Sequence, residues 1–225
     1  MTFETFFRGR LDAPTRMGDV QREFESRLPD LFVPTVKTGE PLALRPFQLR
    51  DTASTRSLAI SFNQASFVAF DYPGFESFRD ESLEVVERTL EVMGVDELTR
   101  VAYVYDNAIE IPARDNGVMP LDLILKLDFP EWMGRDGFAQ LDLEWKRPHS
   151  TGAVMGKLFQ EREGPVPVLR LFLRAEAEPG GARGDLRKQI EATHSLASGM
   201  FDSVITDRFR DFLSRTPESR GGTNA

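Results

Sequence analysis

A repeated plan constrains this chain more than any other feature. Hydrophobic periodicity reads each half as strand, helix, three short strands, long helix. In the first half these elements fall at residues 3–11, 14–28, 42–50, 57–63, 66–71 and 75–93. In the second they fall at 100–111, 119–127, 138–147, 151–161, 168–177 and 185–213. Corresponding elements lie about 95–110 residues apart, far beyond the period of a solenoid repeat. The expected fold is therefore α+β: two related β-α-β-β-β-α halves sharing a mainly antiparallel sheet, with long helices on one face. No internal stretch reads as a linker, so residues 1–215 form one domain of two pseudo-repeats, about 1–95 and 96–215. The stretch 216–225, rich in Gly and polar residues, reads as a disordered tail.

Local patterns support this division. Phe3, Thr5, Phe7, Gly9 and Leu11 alternate with polar residues, an alternation broken by Phe6, which suggests an edge-type strand with one buried face. Residues 31–36 could add a short strand, confined to an edge by Pro34. Phe75, Phe78, Val85, Val86, Leu90 and Met93 form the stripe of a helix that Gly94 should cap. Residues 100–111 form a long, mostly buried and central strand. Leu169, Leu171, Leu173 and Ala175 face one side of another, with Arg170 and Arg174 opposite. Asp185 and Thr206 are expected N-caps, with a helix break near 203–205 between them.

Composition narrows the function classes. Hydrophobic residues make up 40% of the 225, and 18 of them are Phe, enough for a substantial core. Net charge is −8, which repels phosphate backbones, so no nucleic acid is expected as a partner. With no cysteine, disulfides, thiolate metal sites and cysteine nucleophiles are ruled out. Neither a basic leader with an apolar core nor an apolar run of membrane-spanning length is visible, so a cytoplasmic protein without membrane contact is expected.

The segment 72–111 resembles a sporadically distributed prokaryotic family of uncharacterised proteins. That family has a Tyr-x-x-Trp helix entry, and later an Arg-Ile-Gly-Leu-Arg-Tyr-Ile-Asn strand closing on Ile-x-Ile/Leu-Pro. Here the entry reads Tyr72-Pro73-Gly74-Phe75, and the strand reads Arg100-Val101-Ala102-Tyr103-Val104-Tyr105-Asp106-Asn107 before Ile109-Glu110-Ile111-Pro112. Phe201 and Ile205-Thr206-Asp207 are similar to the family's C-terminal helix. Phe75 stands in place of the Trp, Val104 of the second Arg, and Asp106 of an apolar residue. The resemblance implies the fold, and the family's patchy distribution implies an association with defence or conflict systems.

Catalytic constellations are sparse. The two histidines are His149, after Pro148 at a turn, and His194, on the last long helix. Nucleophilic hydrolase chemistry needs one of them beside a Ser and a carboxylate, and no Gly-x-Ser-x-Gly elbow exists. Asp142 and Glu144 share a strand face about 7 Å apart, a spacing open to acid/base or magnesium chemistry. Lys146, Lys157, Arg170 and Arg174 are expected on that same face, which favours cross-strand charge pairing instead. The Gly-rich stretch 180–184 lacks the Gly-Lys-Ser/Thr of a nucleotide loop. The binding candidates are Arg100, Tyr105, Asn107, Tyr72, Arg170 and Arg174. Tyr105 and Asn107 share a face, while Arg100 points to the other.

The expectation is a non-enzymatic protein-binding or adaptor/regulatory component, with another protein or a second copy as partner. No cofactor, no metal and no catalytic residue is expected. A sensor of a small anionic ligand is the alternative, and a carboxylate- or metal-dependent hydrolase comes third.

Overall fold

The computed structural model describes residues 1–10, 12–33, 46–71, 73–110, 125–126, 142–150, 152–161, 168–179, 181–182 and 184–214. The fold is α+β, and nearly all its strands join one nine-stranded antiparallel sheet. The strands in chain order are β1 Thr2–Phe6, β2 Asp30–Phe32, β3 Phe47–Arg50, β4 Arg56–Ile60, β5 Gln64–Ala69, β6 Glu97–Leu98, β7 Arg100–Glu110, β8 Asp142–His149, β9 Gly152–Glu161, β10 Val168–Ala177 and β11 Gly181–Ala182. The helices are α1 Ala13–Phe24, α2 Phe75–Met93, α3 Leu186–Val204 and α4 Asp207–Ser214. The large sheet runs β2-β3-β4-β5-β1-β7-β10-β9-β8. Outward from the β1–β7 pair, the order is thus β5, β4, β3, β2 on one side and β10, β9, β8 on the other. The short strands β6 and β11, which periodicity missed, pair separately.

The first strand corrects an expectation. β1 ends at Phe6 and sits between β5 and β7, so it is central and not an edge. Phe3 and Thr5 are fully buried on one face, as alternation requires, but the charge on Glu4 is sheltered too, by a partner from β10 that no local pattern reveals. β2 takes the edge position foreseen for 31–36, and β7 is central as expected. β4 ends at Ile60, short of its periodic run 57–63, and of the run 42–50 only residues 46–50 are described, where β3 begins at Phe47. His149 is the last residue of β8, and the turn follows at Ser150.

Helix ends follow their capping residues. Gly94 adopts the left-handed conformation (φ +62°) and its N–H bonds the carbonyl of Glu91, closing α2. The last turn of α2 has no basic residue of its own. Cations arrive from the α1 region: Arg10 donates to the Gly94 carbonyl, and Arg16 donates to that of Val92 at 3.2 Å. Asp12 holds both guanidinium groups, and their hydrogen bonds pull its carboxyl down to about 2. Asp185 caps α3 by accepting from the Lys188 N–H at 3.1 Å. The break near 203–205 is present: Ile205 is extended, and the Thr206 hydroxyl accepts from the Phe209 N–H to start α4. The expected helix at 119–127, the loop residues Gly180 and Arg183, Tyr72 and the tail 216–225 lie outside the described residues, apart from Leu125 and Lys126.

The core lies between sheet and helices. Phe67 of β5 packs on Phe78 of α2 with ring centroids 6.0 Å apart. Tyr103 of β7 meets Phe78 edge-on at 5.7 Å and His194 of α3 at 5.3 Å, so α2 and α3 converge on one side chain. A second cluster, with Leu158, Leu169, Leu171, Leu173, Ile205 and Phe209, meets the first at Tyr105 and Met200. Trp145 of β8 packs its indole against Gly156 of the neighbouring strand. A Cβ there would come within 2.1 Å of the indole. Gly156→Ala is therefore expected to cost about 1–3 kcal/mol by overpacking. Urea unfolding in a Trp132→Phe background, followed by the near-ultraviolet signal of Trp145, checks this. An unchanged midpoint and signal would contradict the packing.

Candidate interaction face of the sheet

Strand pairing sets which side chains share a face, since residues directly opposite point the same way. Phe3, Phe67, Tyr103 and Ala175 are joined by register, and Phe67 and Tyr103 contact helices. The residues between them form the second face. Along one row lie Glu176, Ala102, Glu4 and Ser66; along the next, Met155, Arg174, Val104, Thr2 and Val68. We call this the polar face.

Its centre is an ion cluster. Arg174 approaches Glu4 at 2.6 Å and donates to Glu176 at 2.7 Å, while Arg100 reaches Glu176 at 3.3 Å. The side chains of Arg174, Glu4 and Glu176 are only 16%, 16% and 15% exposed. Burial alone would lower the Arg174 pKa, but the carboxylates of Glu4 and Glu176 outweigh it, so the net direction is up. The Phe6 ring sits beneath both cations, 4.0 Å from the Arg100 guanidinium and 5.7 Å from that of Arg174.

The same pairing of ring and cation recurs outward. Toward the β2 edge, Arg50 lies 4.4 Å from the Phe32 ring and 6.0 Å from that of Phe70, which is 61% exposed. Toward β8, Lys157 lies 5.2 Å from Phe159, and Arg170 pairs with Asp106 at 3.2 Å. Lys157 also reaches Asp142 at 3.6 Å, and Glu144 stands opposite Lys157 in register. Within the strands, this face carries Arg50, Arg100, Lys146, Lys157, Arg170 and Arg174 against Glu4, Asp30, Asp106, Asp142, Glu144 and Glu176. Register puts Glu110 and Glu161 at the same parity, so carboxylates outnumber the cations on this face, eight to six.

The binding candidates divide between the faces. Arg100, Arg170 and Arg174 lie together on the polar face. Tyr105 and Asn107 share the helix-facing side, as strand parity requires. There Tyr105 lies 5.0 Å from the Tyr103 ring, and Asn107 is opposite Leu171. Tyr72 is outside the described residues. His194 stacks on Phe75, centroids 3.5 Å apart and 9° from parallel. Burial in this aromatic setting pushes its pKa below 6.5. Among the described residues, no three His, Asp or Glu side chains gather in an arrangement able to hold a metal ion.

Sequence reasoning passed over Phe6, Phe32, Phe70, Phe159 and Phe172. The signal was available: Phe6, Phe159 and Phe172 are out of phase with the buried alternation of their own strands. An apolar ring on the polar parity of a strand lies outside the core: Phe32 and Phe70 are exposed, and Phe6, Phe159 and Phe172 are half-buried. No family model matches the chain, and the curated proteins hold no match to it.

Two outcomes test this geometry. Arg174→Met should destabilise by roughly 1–3 kcal/mol, because Glu4 and Glu176 are left sheltered without their cation. Adding Glu4→Gln should recover part of that loss in urea unfolding at neutral pH. A single variant as stable as the parent would mean that the cluster is not a brace. For His194, the folded state resists protonation more than the unfolded one, so its contribution to stability is complete above about pH 6.5. That contribution falls as pH drops from there toward the lowered folded value. Thermal unfolding between about pH 7.5 and about pH 5.5 should show a loss that His194→Gln reduces. An equal slope in both proteins would assign the loss to other groups.

Proposed function

We propose that this protein is a non-enzymatic binding component, of adaptor or regulatory type, that engages another protein through the polar face of its sheet. One observation carries the reading: phenylalanines and cations lie side by side over that face, and Arg100, Lys157, Arg170 and Arg174 each pair with a carboxylate. Exposed aromatics beside Arg are the residue types that dominate protein interfaces. A mosaic of both charges gives specificity for a complementary protein surface without the positive field a nucleic acid requires.

The finer architecture belongs to the same reading. The order of strands outward from β1–β7 fits two related halves, each with its long helix (α2 or α3) crossing the Tyr103 side. Helices gathered on that side leave the other for a partner, and a second copy of the chain is a partner of the same class. An association with defence or conflict systems rests on the family resemblance alone.

The anionic-ligand reading is weakened by the central cluster, where Arg100 and Arg174 are engaged by Glu176 and Glu4. Hydrolase chemistry at Asp142 and Glu144 is weakened because Lys157 stands between them as their cross-strand counter-charge.

Affinity purification of the tagged full-length chain from its native host, with cross-linking and mass spectrometry, tests the proposal. The parent protein should retain one stoichiometric partner, cross-linked to polar-face residues. A Phe6→Ser/Phe70→Ser variant of unchanged melting temperature should lose it. A partnerless parent, or a partner held equally by the variant, would overturn the reading.

A further inference from the structure

Met200 of α3 packs against both apolar clusters, the one around Tyr103 and the one that holds Leu158 and Leu171. Its sulfur is also a hydrogen-bond acceptor. The indole N–H of Trp145 donates to Met200 Sδ at 3.4 Å. A thioether accepts weakly, so this N–H depends on a partner whose polarity changes with its oxidation state. A second neighbour of the sulfur is Ser203, about one turn further along α3. Its hydroxyl donates to the Met200 carbonyl at 2.7 Å and lies 3.7 Å from Sδ. Ser203 is exposed, as is Gly199 beside Met200, and Met200 itself is half-buried, within reach of a small solute. Met93, by contrast, is fully buried.

Trp145 is also an anchor of its strand. β8 is the last strand in the order of the described sheet and pairs with β9. Leu143 and Trp145 are half-buried and pack on the second cluster, whereas the other side chains of β8 are exposed. Among the described residues, β8 is thus fastened by its ladder with β9 and by these two side chains. The indole has little room to shift toward β9, because it already packs against Gly156, where even a Cβ would come within 2.1 Å of it.

We propose that Met200 is an oxidation-sensitive clasp for β8, opened by a peroxide. A lone pair of Sδ attacks one peroxide oxygen and the O–O bond breaks. With hydrogen peroxide, the second oxygen leaves as hydroxide, takes the proton of the first and becomes water. The sulfur is oxidised to the sulfoxide and the peroxide is reduced. The added oxygen takes a lone-pair position on a sulfur that the indole N–H and the Ser203 hydroxyl already approach. It also sets a polar group between two apolar clusters. Trp145 then loses its seat, and β8 moves together with Asp142, Glu144 and Lys146 on its polar side. Reduction of the sulfoxide restores the clasp. The clasp acts on one end of the face proposed for binding, but it does not depend on that face having a partner.

The experiment exposes the full-length protein to graded hydrogen peroxide. Peptide mapping reads the oxygen gained at each methionine, and hydrogen exchange read by mass spectrometry follows peptides that cover residues 142–149. Exchange in β8 is expected to become about fivefold faster, the size of one lost indole–sulfur contact, in step with oxygen at Met200. Met200→Leu, an apolar replacement of similar volume, should keep its starting rate at every dose. The proposal fails if Met200 stays reduced at doses that oxidise Met17 and Met155. It fails equally if Met200 is oxidised with β8 exchange unchanged, if exchange follows another methionine, or if the variant responds as the parent does. Should Met200→Leu not fold, the dose dependence within the parent protein decides alone.

Discussion

The antiparallel pairing of β1 with β7 is the constraint on which the rest depends. It sets Phe3 opposite Tyr103 and Glu4 opposite Ala102, joining chain segments far apart in sequence at the middle of one continuous sheet. Each side of that seam is sealed differently. On one, Tyr103 receives Phe78 from α2 and His194 from α3, so dispersion and aromatic packing hold both long helices. On the other, Arg174 from β10 ties Glu4 of β1 to Glu176 of its own strand. A short strand in mid-sheet thus gains cohesion from an apolar contact on one face and an ionic one on the other.

The ionic side explains how a sheet face can carry charge and phenylalanine together. Cation and ring attract when the cation lies over the ring, and each guanidinium also needs an anion once partly desolvated. Phe6 under Arg100 and Arg174, with Glu176 beside them, satisfies both demands. The Arg50 group near Phe32 and Phe70 repeats the ring contact toward the sheet edge. Such a surface interleaves both signs, which gives selectivity by position of charge and not by field strength.

Much of the helix-facing side was legible in the sequence. The stripe from Phe75 to Met93 with Gly94, the Asp185 and Thr206 caps, and the alternation from Val168 to Ala177 are local signals, and the structure places each where periodicity does. Strand parity also separated Arg100 from Tyr105 and Asn107. The position of β1 was not legible, because an alternating five-residue strand looks the same at an edge and at a centre. Nor was the grouping of Arg100 with Arg174, which depends on β7 and β10 being neighbours. Phe6 and Phe172 stood out of phase, but nothing local says what a ring on the polar parity touches.

By itself the sequence determined the longer described strands and helices, the caps at Gly94, Asp185 and Thr206 and the two faces of each long strand, which follow from local spacing, and its composition set the acidic net charge. Only the tertiary structure decided which strands adjoin and therefore which charges meet. Pairing between distant strands fixes register across the sheet, and register brings Glu4, Arg174 and Glu176 together and sets Lys157 and Arg170 among Phe159 and Phe172.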